Sequence, residues 1–243
     1  MAQLSARLER LIALESQIAH KTPPPAGEME FACQPGTLPL LISAPHGAAH
    51  WRQGKVKEED EYTSGLARLL GELTGAHVLY ARCQSNTDPN FNRGVPYKQR
   101  LAEILDEAPV HFVLDLHGCA PRREFGLALG TMKGRSCPGM REEILDSLCA
   151  NGFHPQAKGL RSLDVDKAFP ALGKKDRETV TGFVWGTLGV PAAQLEINAK
   201  LRILKRLSPG EAHENTLADP WDVEQVIDAL CSLVFRLARD GRA

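Results

Sequence analysis

The sequence LPLLISAPHGAAH, residues 38–50, determines how the rest of the chain is interpreted. Its first seven residues form an almost continuous apolar run of strand length, which is typical of a strand buried on both faces of a parallel sheet. The run then gives way to Pro45, His46 and Gly47. Ligands of α/β sheets bind beyond the carboxyl ends of the strands, so this order of residues predicts that His46 belongs to a functional site.

Strand and helix patterns alternate along the chain. Further strands are predicted in AHVLYAR (76–82), VHFVLDL (110–116), EFGLALG (124–130) and VPAAQLEI (190–197), and helices in TSGLARLLGELTG (63–75) and GMREEILDSLCANG (139–152). Such alternation predicts an α/β fold with three layers, in which helices cover both faces of a mixed, largely parallel central sheet.

The 243 residues are expected to form one α/β domain. Apolar residues at helical spacing predict an amphipathic helix over residues 3–19, and a proline-rich connector follows at residues 22–27. The sequence features that suggest chemistry fall within residues 38–202. The domain is expected to end in a helix over residues 219–239, with Asp219 as its N-cap.

Composition excludes several classes of protein. Lys and Arg total 29 against 30 for Asp and Glu, a balance that gives no electrostatic basis for binding nucleic acid or an anionic membrane. No apolar run approaches the roughly 18 residues of a membrane span, and the N-terminus lacks the apolar core of a signal peptide. Six scattered cysteines without a CxxC pair suggest reduced thiols in a cytoplasmic protein. The expected partner is a small molecule, and the oligomeric state is not predicted.

Two more predicted strands end in polar side chains. VHFVLDLHG runs into Asp115 and His117, and VPAAQLEIN runs into Glu196 and Asn198. Because burying an ionisable group without a partner costs several kcal/mol, three such strand ends in one chain, His46 included, predict one shared site.

Two imidazoles and a carboxylate form a common ligand set of catalytic zinc, whose fourth position is open to water. His46 and His117 are the candidate imidazoles, Glu196 is a candidate ligand or general base, and the acidic run EEDEY (58–62) supplies a further carboxylate. Asp115, on the same strand as His117, is a candidate to orient an imidazole from outside the ligand set. The simpler alternatives are structural histidines and a solvated acidic helix start.

The order SAPHG, DEYT, DPNFNR, DLHG, LGT and QLEIN-x-x-LR resembles the N-formylglutamate amidohydrolase family over about residues 38–202. Those enzymes are similar in fold to zinc carboxypeptidases and to deacylases of N-acylated amino acids. The resemblance implies one zinc ion per chain, held by His46, His117 and Asp60, with Glu59 and Glu61 as the alternative acidic ligands.

The resemblance also implies roles around the metal. Glu196 becomes the general base, and Asn92 and Arg93 become the pair that binds a substrate carboxylate and polarises the scissile carbonyl. Arg122 and Arg123 are further carboxylate-binding candidates, with solvated loop charges as the alternative. The implied activity is zinc-dependent hydrolysis of the amide bond of an N-acyl amino acid or a related small carboxylated amide.

The chain departs from the pattern at one ligand motif. Carboxypeptidases use His-x-x-Glu, whereas the third residue after His46 is Ala49, so the acidic ligand must come from further along. His50 and Cys119 adjoin the ligand motifs and are expected to be outer or merely nearby residues. The alternatives are a carboxypeptidase or deacylase with another substrate and a non-catalytic metal-binding or ligand-binding protein.

Overall fold

The computed structural model describes residues 4–174, 176–205 and 217–240. The strands are β1 (Phe31–Gln34), β2 (Leu38–Ala44), β3 (His50–Arg52), β4 (Lys55–Lys57), β5 (Ala76–Ala81), β6 (Phe112–Cys119), β7 (Phe125–Gly130), β8 (Gly159–Val165) and β9 (Ala192–Asn198). The helices are α1 (Ala6–Glu15), α2 (Thr63–Thr74), α3 (Pro96–Glu107), α4 (Arg141–Ala150), α5 (Val180–Leu188) and α6 (Pro220–Asp240), with a 3₁₀ turn at Ala199–Leu201.

Seven strands form the central sheet, in the order β1-β5-β2-β6-β9-β7-β8. The inner strands β5, β2, β6 and β9 run parallel, while β1 pairs antiparallel with β5 and β7 pairs antiparallel with β9. The chain passes from β2 outward to β5 and then returns to place β6 on the other side of β2. Such a reversal of direction opens a crevice at the carboxyl ends of the two strands.

Helices cover the sheet on both faces. Apolar residues of α1, α2 and α6 join alternate residues of β2 and β6 in the larger core, whereas Tyr97, Leu101 and Ile104 of α3 pack with Val180 and Val184 of α5 in the other. The structure therefore confirms the predicted three-layer α/β/α fold with a mixed, largely parallel sheet.

The face of the sheet toward α3 and α5 changes from apolar to polar along β6 and β9. Side chains of this face run from apolar to polar toward the carboxyl ends, in the order Val113, Asp115 and His117 on β6 and Ala192, Gln194 and Glu196 on β9. His117 and Glu196 are register partners on the two parallel strands. The polar ends of β6 and β9 therefore meet at one point on the sheet edge.

The differences from the sequence prediction have physical reasons. The first helix ends at Glu15 instead of residue 19, because the chain turns there so that the amide of Ala19 donates to the carbonyl of Arg82 at 2.8 Å. The strands β1 and β8, the hairpin β3–β4 and the helices α3 and α5 were not predicted. In α5, VTGFVWGTL combines glycine with β-branched and aromatic residues of low helix propensity, so tertiary packing decides its conformation.

Among the described residues, no helix combines the length and the apolar character that crossing a membrane requires. The six cysteines are all free thiols, and Cys33 is exposed.

Candidate active site

Three ligand-type atoms converge at the carboxyl edge of the sheet. Nδ1 of His46 lies 3.1 Å from Nδ1 of His117, and each of these nitrogens lies 3.6 Å from Oδ2 of Asp60. Four ligands at about 2.0–2.1 Å from a tetrahedral metal are separated by about 3.3 Å. The three observed separations therefore fit three corners of such a site.

Different elements bring the three side chains together. His46 follows β2, His117 lies within β6, and Asp60 lies between the hairpin β3–β4 and α2. The amide of Asp60 donates to the carbonyl of His46 at 2.7 Å, which ties the two loops together. The loop after β2, which carries His46, passes so close to Ser64 of α2 that a side chain at Gly47 would collide with the serine hydroxyl.

The outer nitrogen of each imidazole faces a buried carboxylate. Nε2 of His117 lies 3.0 Å from Oδ2 of Asp115, whose other oxygen accepts the hydroxyl of Ser43 at 2.9 Å. Nε2 of His46 lies 2.8 Å from Oδ1 of Asp88. A carboxylate on the outer nitrogen fixes the tautomer and the ring orientation of a metal-binding histidine, so both rings turn Nδ1 toward Asp60.

The charges around these rings favour a cation. Burial opposes protonation of His46, but the charges of Asp88 and Asp60 outweigh it and raise the pKa of His46. Burial likewise opposes protonation of His117, yet Asp115 and Asp60 raise its pKa well above the usual value. Burial opposes ionisation of Asp60, but the two neighbouring histidines outweigh it and lower the pKa of Asp60. Three inward acceptors in so negative a setting fit a divalent metal ion.

A second cluster of donors, formed by His46, His50 and Asp88, is close enough to be considered as a metal site. His50 stacks on His46 with ring centroids 4.1 Å apart, and its Nε2 lies 3.4 Å from Oδ2 of Asp88. However, the guanidinium of Arg52 already pairs with that oxygen of Asp88. A fixed cation beside the carboxylate opposes a metal ion there, so the cluster of His46, Asp60 and His117 is the better site.

Glu196 lies beside the cluster on β9. Its Oε1 accepts a hydrogen bond from the side-chain amide nitrogen Nε2 of Gln194 at 2.9 Å. Burial, and in lesser part the charge of Asp60, raise the pKa of Glu196 to about 7, although His117 acts in the opposite direction. A buried carboxyl group that titrates near neutral pH is suited to exchanging protons.

The cluster and Glu196 lie in the wall of a cleft of about 720 Å³, a volume typical of small-molecule sites. The aromatic rings of Phe91 and Phe169 line it, together with the cations Arg52, Lys57, Lys174 and Arg177. Lys174 and Arg177 are joined by reciprocal backbone hydrogen bonds of 3.0 and 3.1 Å. Neither side chain pairs with an acid among the residues that the structure describes.

The structure brings His46, Asp60, His117, Asp115 and Glu196 together, but it places the predicted carboxylate-binding residues elsewhere. Asn92, Arg93, Arg122 and Arg123 are not among the residues that line the cleft.

Arg93 and Arg122 are exposed, and the guanidinium of Arg123 lies over the ring of Phe169 at 4.9 Å. Oδ1 of Asn92 accepts the amide of Asp88 at 2.9 Å, which shapes the loop behind His46. Substrate binding by the asparagine–arginine pair stays a prediction.

Of the alternative acidic ligands, Glu59 lies 3.9 Å from Lys21, and Glu61 is buried next to Glu15. Neither belongs to the converging cluster. The thiol of Cys119 is buried, and burial raises its pKa to about 12, so this cysteine is suited to packing.

Sequence reasoning missed Asp88, Gln194 and Arg177. Asp88 opens DPNFNR, a run that is typical of a turn, and nothing in that pattern connects it with His46. Gln194 carried a detectable signal, since it stands two residues before Glu196 and therefore shares its face of the strand. Arg177 belongs to an irregular segment, and hydrophobic periodicity does not predict where the side chains of such a segment lie.

Compared by sequence, the chain matches no protein-family model and no curated protein. Compared by structure, it is similar to the N-formylglutamate amidohydrolase of Ralstonia eutropha JMP134, with a TM-score of 0.59 and 16% identity over 87% of this chain and 99% of that one. The succinylglutamate desuccinylase of Chromobacterium violaceum is less similar, with a TM-score of 0.47 and 16% identity over 94% of this chain and 76% of that one. A bacteriophage poly-gamma-glutamate hydrolase gives a TM-score of 0.46 and 12% identity over 89% of this chain and 91% of that one. At such identities, the likeness to the amidohydrolase shows that the two chains share a fold.

Proposed function

We propose that this protein is a metal-dependent hydrolase that cleaves the amide bond of small, carboxylate-bearing N-acyl compounds such as N-acyl amino acids. The observation that carries the proposal is the convergence of three acceptor atoms, from His46, Asp60 and His117, within 3.1–3.6 Å of one another. The fold shared with an N-formylglutamate amidohydrolase supports this class of reaction.

Nδ1 of His46, Nδ1 of His117 and Oδ2 of Asp60 would hold the metal, and this nitrogen and oxygen set suits zinc. A metal ion bound there would lower the pKa of a water molecule and polarise the amide carbonyl. Asp88 and Asp115 keep the outer nitrogens of the two histidines hydrogen-bonded, so that both inner nitrogens remain acceptors.

Glu196 is the proposed general base. It lies in register with His117 on the neighbouring strand, on the same face of the sheet and in the cleft wall. The side-chain amide of Gln194 donates to one of its oxygens, and the other is the proposed acceptor of the proton of the attacking water. Glu196 then passes that proton to the leaving nitrogen, which departs as a neutral amine.

The charges of the cleft suggest how the substrate is selected. Arg177 is half-buried in the cleft wall, and neither it nor Lys174 pairs with an acid in the described part of the chain. A guanidinium in such a position binds carboxylates well, because its planar donors match the two oxygens. We therefore infer that Arg177, with Lys174 nearby, receives the carboxylate of the amino-acid part.

The proposal is tested with the variant Glu196→Gln, which keeps the shape of the side chain and removes the base. Release of free amine is measured from a set of N-acyl amino acids, beginning with N-formylglutamate. Loss of a general base lowers kcat by about 10²–10⁴-fold, and the variant should bind zinc as tightly as the wild type.

The variant His154→Ala serves as a control, because His154 is exposed and lies outside the cleft. Wild-type rates in Glu196→Gln would contradict the assigned base. Loss of zinc in that variant would show that Glu196 is a ligand. A zinc-loaded wild type without turnover on any N-acyl amino acid would support a binding protein instead.

A further inference from the structure

The N-terminal helix α1 lies outside the sequence motifs, yet it holds the segment that carries Asp60. It ends at Glu15, whose side chain is completely buried. Oε1 of Glu15 accepts the backbone amide of Tyr62 at 2.6 Å, and Oε2 accepts the amide of Gly65 at 2.9 Å. The first of these amides is two residues beyond Asp60, so α1 fixes the backbone on which Asp60 enters the site.

Helix α2 receives its N-terminal cap from this carboxylate. The first amides of a helix have no partner within the helix, and the helix dipole favours an acidic group beside them. Tyr62, the residue before α2, has a left-handed φ of 69°, which costs energy in a residue other than glycine. Its phenol donates to the carbonyl of Lys205 at 2.8 Å. Glu15 therefore caps α2 and also holds Tyr62 in its strained conformation.

The same end of α1 reaches the loop that carries His46. Nε2 of His20 lies 3.3 Å from Oε1 of Glu15, and Nδ1 of His20 lies 3.0 Å from the carbonyl of Gly47. The amide of Ala49 donates to the carbonyl of His20 at 2.7 Å. Glu15 and His20 thus connect the two loops that supply His46 and Asp60.

Packing and sequence both support a specific role for Glu15. A side chain at Gly65 would come within 2.7 Å of Oε2 of Glu15, so glycine is needed for the close approach of the carboxylate. In the sequence, Glu15 stands four residues after Leu11 and three before Ile18, both buried. A glutamate on the apolar stripe of a helix is unusual unless its charge is bound.

We propose that Glu15 is a positioning residue of the metal centre, and that the N-terminal segment is part of the construction of the site. The proposal rests on the metal site put forward above. Glu15 acts through the backbone of Tyr62 and Gly65, and it keeps Asp60 within reach of both histidines.

The test uses Glu15→Gln and Gly65→Ala, which disturb the same contact from its two sides. Glutamine has only one acceptor oxygen, so one of the two backbone amides, of Tyr62 or of Gly65, loses its acceptor and faces the NH₂ group of the glutamine instead. Zinc affinity of the metal-free full chain is measured by competition with a chromophoric chelator. Both variants should bind zinc about 10- to 100-fold more weakly, the loss typical of residues that position metal ligands. Hydrogen exchange of amides 62–65 in the metal-free protein should also accelerate.

Two controls separate positioning from general loosening of α1. Glu72→Gln removes the exposed ion pair with Arg10, at 2.6 Å, which also joins α1 to α2 but lies away from Asp60. Leu11→Ala weakens the packing of α1 and leaves the carboxylate of Glu15 and its two backbone acceptor contacts in place. Both controls should keep zinc affinity within about twofold of the wild type.

Each outcome has a separate meaning. If the wild type binds zinc and both Glu15→Gln and Gly65→Ala bind it equally well, the role of Glu15 is refuted while the proposed function stands. If Leu11→Ala weakens zinc binding as much as Glu15→Gln, the role of Glu15 is merely structural and the inference is wrong. If the wild type binds no zinc, the proposed metal site is wrong. Independently of zinc, unchanged hydrogen exchange of amides 62–65 in Glu15→Gln would refute the positioning role of Glu15.

Discussion

Asp115 provides a graded test of how the site is held together. Its Oδ2 lies 3.0 Å from Nε2 of His117, its Oδ1 accepts from Ser43 at 2.9 Å, and its side chain has no exposed surface. In Asp115→Asn the amide oxygen can still accept from His117, while the amide nitrogen donates to the hydroxyl of Ser43. The substitution therefore keeps the geometry and removes the charge, whereas Asp115→Ala removes both.

The expected magnitudes follow from these contacts. A hydrogen bond to a charged group contributes about 1.5–3 kcal/mol, and one between neutral groups contributes about 0.5–1.5 kcal/mol. Asp115→Asn should then lose about 1–1.5 kcal/mol of zinc-binding free energy, or about 5- to 10-fold in affinity. Asp115→Ala should lose about 10- to 100-fold, since the orienting partner of His117 is then absent.

Zinc affinity is measured by chelator competition and unfolding temperature is measured separately on the metal-free protein. Asp146→Asn is the matched control, because the side chain of Asp146 is 70% exposed and is not among the residues that line the cleft. Wild-type zinc affinity in Asp115→Ala would refute the reasoning, because His117 would then not depend on its carboxylate.

The remaining predictions concern the substrate and the metal. Arg177→Ala should raise KM for N-acyl amino acids about 10-fold or more, the loss expected for one charged hydrogen bond, while Arg93→Ala should leave KM within about twofold. Steady-state kinetics of both variants shows which arginine binds the carboxylate. The reverse pattern would favour the asparagine–arginine pair. Free zinc at 100 times its dissociation constant should stabilise the folded protein by about 2.7 kcal/mol; thermal unfolding with and without a chelator measures this, and identical curves would contradict a site in the folded state.

The convergence of the two histidines could be predicted because their surroundings follow a local rule. Apolar runs that end in His46 and in His117 are visible in the sequence, and parallel strands bring their carboxyl ends to one edge of a sheet. Asp115 and Glu196 were identified in the same way, since strand alternation determines the face on which each lies. Asp60 was selected only through the family resemblance, because the acidic run offers several carboxylates and no periodicity distinguishes them.

The partners that hold the site were harder to predict, because they come from distant parts of the chain. Asp88 contacts His46 across 42 positions, and Glu15 contacts Tyr62 across 47. Contacts at that separation depend on the order of the strands and on the packing of α1 against α2, which local patterns do not specify. Arg93 shows the limit of a short motif, since the sequence suggested a substrate-binding role and the fold leaves the residue exposed and outside the cleft lining, so that role stays a prediction.

The central claim is that His46 and His117 share one metal ion, and the metal content of the purified full chain tests it most directly. Elemental analysis should find about one zinc ion per chain in the wild type and in the exposed control His154→Ala, as expected for a site with three protein ligands. His46→Ala and His117→Ala should each lose the metal while remaining folded by circular dichroism. Zinc retained in both ligand variants, or a wild type that neither contains nor takes up zinc, would contradict the account.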